Sequence, residues 1–315
     1  LTAVIDKLSL SAVFVPFFTP ARLDLLGTDW ALLPPIIGQS FDLTQLFRLL
    51  PGVDQTFLAR IQEELLVTEF PTVAPENVSG GARIKSRYGG VDIGLGYFYG
   101  WDRLPYVEIT GNLSDVLVDL LAGERATLPI DSSYRRLHTL ELDLVTFLGP
   151  VALRAESVYN PDRTAYLDIP GGGFEARRFP TLTNVLALSY NPNESFWIQL
   201  EGVYAHTFDV PAGQRLLITE PDDWSVVLGV VLKLDAFSSL TGSAVGSLGF
   251  SLLGRYSISN RDYVMSPAAF WTLQDRITFS VGGLIYGGPP VDESLTLGGI
   301  YADNDQIYFS VAVDF

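Results

Sequence analysis

The sequence predicts an all-β chain, a closed antiparallel transmembrane β-barrel of about twelve strands that takes in residues 1–315 as a single domain. Three observations predict it. The chain is 48% hydrophobic and 12% aromatic, with mean hydropathy +0.26, yet it has no apolar run of the ~18 residues that a spanning helix needs. Its apolar residues recur at every second position, as they must in a strand with one face in lipid and the other toward a lumen. Long connections alternate with short ones, as extracellular loops alternate with periplasmic turns.

Taken in order, Leu8 to Pro16 reads as the first strand, with Leu8, Leu10, Ala12 and Phe14 on its outer face. The segment 18–80 is long and mixed. Asp42 and Asp54 could each cap a short amphipathic helix there, so the segment reads as a helix-containing extracellular loop, either a lid or a docking segment. Ala82 to Tyr88 and Val91 to Trp101 flank Gly89-Gly90, a tight hairpin. A helix-like piece at 115–121 precedes Arg135 to Phe147, which pairs with Val151 to Tyr159 across Leu148-Gly149-Pro150. The same unit recurs at Asn184 to Tyr190 and Phe196 to His206. Trp224 to Asp235, Leu248 to Ser257, Tyr263 to Leu273 and Arg276 to Tyr286 follow, the third interrupted by Pro267. Long links follow the first, third, fifth, seventh and eleventh strands, and short ones the second, fourth, sixth and tenth; the link after the eighth is a modest Ser/Gly-rich turn, and the short link after the ninth, Ser259-Asn260-Arg261, breaks the alternation.

The last stretch, Gln306 to Phe315, alternates Ile307, Phe309, Val311, Val313 and Phe315 with Gln306, Tyr308, Ser310, Ala312 and Asp314. It resembles the closing strand of Gram-negative outer-membrane β-barrels. In that family Phe309, Val311, Val313 and Phe315 would be the signal read by the barrel-insertion machinery. The opening Val15 to Leu23, V-P-F-F-T-P-A-R-L, is similar to openings in porin-like families, including alginate-export-like ones. The resemblance implies a bacterial outer-membrane location, with membrane lipid and lipopolysaccharide around the barrel. It brings no functional residues with it. Aromatics band accordingly: Tyr159, Tyr204, Trp224 and Tyr256 lie near the outer ends of their strands, and Tyr190, Phe196, Trp271 and Phe315 near the inner ends.

The net charge of −16 argues against a nucleic-acid partner. The absence of Cys fits an oxidising route. Leu1 opens the chain without a signal peptide, so a mature or trimmed product is expected. Alternation places Arg83, Lys85, Arg87, Asp92, Arg135, Glu141, Asp143, Arg154, Glu156, Glu201, Lys233, Arg255 and Arg276 inside the barrel. These residues suit a solute path between a basic and an acidic wall, or a paired network filling the interior. Interior Gly94, Gly96, Gly229, Gly249 and Gly282 are expected to leave room. The expected function is a porin-like channel for small hydrophilic solutes. The alternative is a plugged structural barrel docked to another envelope protein.

No enzyme, cofactor or metal is expected. His138 and His206 fall on the lipid face near the outer rim, and Ser157, the nearest outward hydroxyl, has no nucleophile motif around it. Asp303-Asn304-Asp305 reads as a solvated acidic loop.

Overall fold

The computed structural model describes residues 2–5, 7–18, 74–103, 106–109, 130–168, 174–217, 219–234, 246–273, 276–290, 293–294 and 296–313. The helices expected after Asp42 and Asp54, the piece at 115–121, Asp235 and Phe315 lie outside the described residues, as does most of segment 18–80.

Sixteen strands, one short α-helix and a single 3-10 turn at Pro75–Asn77 make up the secondary structure of the described residues. They are β1 (Thr2–Ile5), β2 (Leu8–Val15), β3 (Ser79–Tyr88), β4 (Val91–Trp101), β5 (Tyr106–Ile109), β6 (Ile130–Ser133), β7 (Arg136–Leu148), β8 (Val151–Asp168), β9 (Phe174–Asn193) and β10 (Phe196–Thr207). They continue with β11 (Arg215–Leu216), β12 (Asp222–Leu234), β13 (Ser247–Ser257), β14 (Asp262–Leu273), β15 (Ile277–Gly287), α1 (Leu297–Ile300) and β16 (Gln306–Val313).

One antiparallel sheet of 14 strands runs β1-β2-β3-β4-β7-β8-β9-β10-β12-β13-β14-β15-β16, with β11 added to β8; β5 and β6 pair separately. The expectation of about twelve strands is corrected by β1, four residues long, and by the two-residue β11. Neither is long enough to show an alternating pattern. The tight turns share one end of the sheet except that between β13 and β14, residues 258–261, which lies at the other end. At Gly89-Gly90 both residues have positive φ, 58° and 86°, the requirement of the two-residue hairpin turn that fits twisted strands. Gly149, with φ 62°, turns β7 into β8.

Register fixes the faces. Ile84, Leu95 and Leu142 oppose one another across β3, β4 and β7 on one face. Lys85, Gly94, Asp143 and Glu156 do so on the other. The first face, called outer here, is apolar and exposed: Leu95 is 58% and Phe309 80% accessible, whereas inner-face Asp143 is 4%. This inverts the arrangement of a water-soluble domain, and hydrocarbon is the solvent that makes it favourable. Rings band at both ends of the outer face. Tyr204 stacks on Trp224 with centroids 4.3 Å apart. Toward the turns, Tyr190 meets Phe196 at 6.3 Å and Trp271 meets Phe279 at 6.0 Å.

β8 and β9 outrun their neighbours, with 18 and 20 residues. Their register shifts between Asn160 and Arg163. Pro161 lies within that shift and Pro180 opposite it, where a missing ladder N–H costs least. Above it, Leu167, Phe179 and Leu216 form a small buried cluster with Ala165 and Val210 packed against it. At the same end, α1 is seated on the inner face. Thr296 accepts a hydrogen bond from Gly299 N at 3.0 Å, and Asp262, 2% accessible, accepts one from Gly298 N at 2.8 Å. Two side chains thus satisfy amide donors that a four-residue helix leaves open. Sequence pattern gave no sign of α1, because Gly298 and Gly299 are poor helix formers. Among the described residues no helix is long and apolar enough to cross a membrane.

Candidate functional site

The polar inner face of β3, β4, β7, β8, β10, β12 and β13 is the candidate site. Its centre is Asp143. Arg83 Nη2 lies 2.7 Å from Asp143 Oδ2 and 3.1 Å from Glu141 Oε1, and Lys85 Nζ is 4.0 Å from Asp143 Oδ1. These contacts reach from β3 across the whole width of β4 to β7. They can do so because β4 presents Gly94 and Gly96 between them: a Cβ at Gly94 would lie 1.8 Å from Asp143 Oδ2, and one at Gly96 3.2 Å from Glu141 Oε2. Any side chain at position 94 would displace the carboxylate on which both bases converge.

The remaining pairs are also lateral. Arg87 Nε meets Asp92 Oδ1 at 3.2 Å on the adjacent strand. Arg154 Nε donates to Glu156 Oε1 at 3.0 Å two residues along its own strand. Arg255 Nη2 is 3.9 Å from Asp223 Oδ2 on neighbouring β12, and Gln199 Nε2 donates to Glu201 Oε2 at 3.2 Å. Acids and bases therefore interleave on one wall, which corrects the picture of a basic wall facing an acidic one.

Three of the expected interior residues stand apart. Arg135 precedes β7, and its guanidinium sits 4.3 Å from the centroid of the Tyr106 ring, on the separate β5–β6 hairpin. Arg276 belongs to the turn before β15, its amide bonded to Leu273 O at 3.0 Å, because that strand begins one residue later than alternation suggested. Lys233 is exposed near the turn end of β12 and registers with Gly249, away from the cluster. Asp223 was missed for the converse reason. Carrying the alternation of Lys233, Val231, Gly229, Val227 and Ser225 one step past Trp224 would have found it.

The interior glycines do not leave empty space as expected; large neighbours lie down on them. A Cβ would be 2.7 Å from the Trp197 ring at Gly229, 2.1 Å from Phe270 at Gly249, and 2.4 Å from the Tyr308 hydroxyl at Gly282. A ring that covers a glycine backbone runs along the wall instead of projecting from it.

On the outer face, both histidines occupy the aromatic band. His138 Nδ1 is 2.8 Å from Tyr97 Oη, and Arg136 stacks on Tyr99 and Trp101, 4.8 and 4.5 Å from their ring centroids. His206 Nδ1 and Tyr204 Oη each lie 2.7 Å from Asp222 Oδ1. Asp305, from the acidic loop, accepts from Tyr286 N at 2.9 Å and so anchors its segment.

No family model matches this sequence, and no curated protein matches it. Among solved structures the chain is similar to the copper transporter OprC, at 11% identity and a TM-score of 0.36, over 66% of this chain and 33% of that one. The chain thus spans a third of that transporter's length. It is also similar to outer-membrane expressed OmpT of Vibrio cholerae, at 8% identity and a TM-score of 0.30, over 77% of this chain and 89% of that one. The antiparallel sheet, with one exposed apolar face and a charged opposite face, has the two-faced pattern of a β-barrel wall that meets lipid on one side. The expectation that the chain is not an enzyme does not stand. The structure also joins His206 to Asp222, an acid–imidazole pair of the kind that general bases use, from two strands that no single-strand pattern could connect.

Proposed function

We propose that the sheet closes into a barrel in the outer membrane and passes small hydrophilic solutes down their gradients. The observation that carries this reading is the lateral direction of the charge network. Every inner-face ion pair among the described residues joins groups on one strand, on adjacent strands or across a glycine-bearing strand. A plugged interior would satisfy its charges across the lumen, because an interior ion needs a partner wherever it can find one. Here the wall satisfies itself.

Closure is supported by strand direction. Leu8, at the start of β2, registers with Ser86 near the Gly89-Gly90 turn. Val313, at the end of β16, registers with Ile277 beside the turn between β14 and β15. β2 and β16 therefore run antiparallel, the sense in which outer-membrane barrels close; β1, which lies at the sheet edge beyond β2, runs parallel to β16, so the closing pair is β2 with β16 and requires β1 to leave that edge. Lipid and lipopolysaccharide would then contact the outer face, the insertion machinery would read Phe309, Val311 and Val313, and an envelope protein would be an optional neighbour.

One observation favours the plugged alternative: α1 sits on the inner face, held by Asp262. Planar-bilayer recording decides between the two. A channel gives discrete current steps, and replacing Arg83, Lys85 and Arg87 with Ser strips the bases from Asp92, Glu141 and Asp143, moving selectivity toward cations. An intact protein that passes no current and copurifies with a stoichiometric partner would establish the scaffold instead.

A further inference from the structure

The channel reading leaves the solute class open, and the two halves of the inner face differ in a way that bears on it. From β3 to β13 the wall carries Arg83, Lys85, Arg87, Arg154, Lys233 and Arg255 against Asp92, Glu141, Asp143, Glu156, Glu201 and Asp223. Bases and acids match one for one, although the whole chain has a net charge of −16. The acidic excess lies off this wall. Apart from Lys233 and Glu201, these charges each have an opposite charge beside them on the wall, so little net field projects into the lumen.

The other half, formed by the inner faces of β14, β15, β16 and β2, has one charged residue among the described positions: Asp262, which α1 buries. Elsewhere it presents hydroxyl-bearing side chains, among them Ser9, Ser11, Ser266, Ser280 and Ser310, interleaved with apolar Val13, Val264, Phe270 and Leu284, and Ser280 lies directly opposite Ser310. Ser and Thr hydroxyls donate and accept hydrogen bonds and can exchange with solute hydroxyls at little net cost. They cannot compensate an ion for lost hydration.

We infer that this lumen selects neutral, hydroxyl-rich solutes over ions of either sign. The inference rests on the channel reading and names the solute class for the same path. It is distinct from an anion path drawn by Arg83, Lys85 and Arg87, since those bases are already matched by Asp92, Glu141 and Asp143.

The test is swelling of liposomes holding the purified full chain, in sorbitol, gluconate and glucosamine, which are alike in size and differ in charge. Sorbitol should enter several-fold faster than either charged solute, and a potassium chloride gradient should give a reversal potential near zero. The variant Ser280→Lys places an unmatched base on the uncharged wall. It should speed gluconate relative to glucosamine, with unboiled gel migration confirming that it folds. Gluconate or glucosamine entering the unmodified protein as fast as sorbitol overturns the inference, as does a Ser280→Lys protein that is folded and unchanged in preference. Failure of every solute and of ions to pass overturns the channel reading itself, a different result from the loss of selectivity.

Discussion

Replacing Asp143 with Ala is expected to destabilise the folded protein by about 3 kcal/mol, the lower end of the cost of removing one partner from a buried ion pair. Asp143 is 4% accessible, and both Arg83 and Lys85 converge on it. Their own partial exposure lets them recover some hydration, which keeps the cost from the upper end of the range. Asp92→Ala provides the contrast. Its pair with Arg87 is open to solvent on both sides, so the loss should stay within about 1 kcal/mol. Urea unfolding in lipid vesicles, followed by the fluorescence of the five Trp residues, measures both. Equal losses for the two variants would show that Asp143 is not the hub of the wall.

Leu95→Arg should cost a further sort of energy, about 2–4 kcal/mol, the penalty for a guanidinium on the lipid face near mid-membrane. Leu95 lies midway along β4 and is 58% accessible on the outer face. In a water-soluble protein such an exchange would be nearly neutral. Ser189→Arg, on the inner face of β9 opposite Gln199, is the control and should be tolerated. Folding yield into vesicles reports the difference. Two variants that fold equally well would remove the distinction between the faces.

Much of the fold was legible because lipid-facing strands alternate strictly. β4, β7, β10, β12 and β16 could be read residue by residue from Val91, Leu140, Phe196, Trp224 and Ile307 onward. β8 and β9 were legible only in part. The register shift at Asn160–Arg163, where Pro161 and Pro180 lie, interrupts the alternation of their faces. The inner-face residues were legible as a set, but their partners were not. Arg83 meets Asp143 only because Gly94 lies between them in space, and the residues come from β3, β4 and β7, far apart in the chain. The pairing of His206 with Asp222 escaped for the same reason: alternation assigns a face to a residue and says nothing of what stands beside it.

The central claim is that one face of this sheet meets lipid and the other meets water. A cysteine scan of β7 tests it most directly, since the chain has no Cys of its own. Single cysteines from position 139 to 145, labelled with an environment-sensitive fluorophore in vesicles, would be exposed in turn to a lipid-phase and an aqueous quencher. The account predicts a two-residue rhythm, with positions 140, 142 and 144 quenched from lipid and 139, 141, 143 and 145 from water. Aqueous quenching at every position, with no alternation, would contradict it.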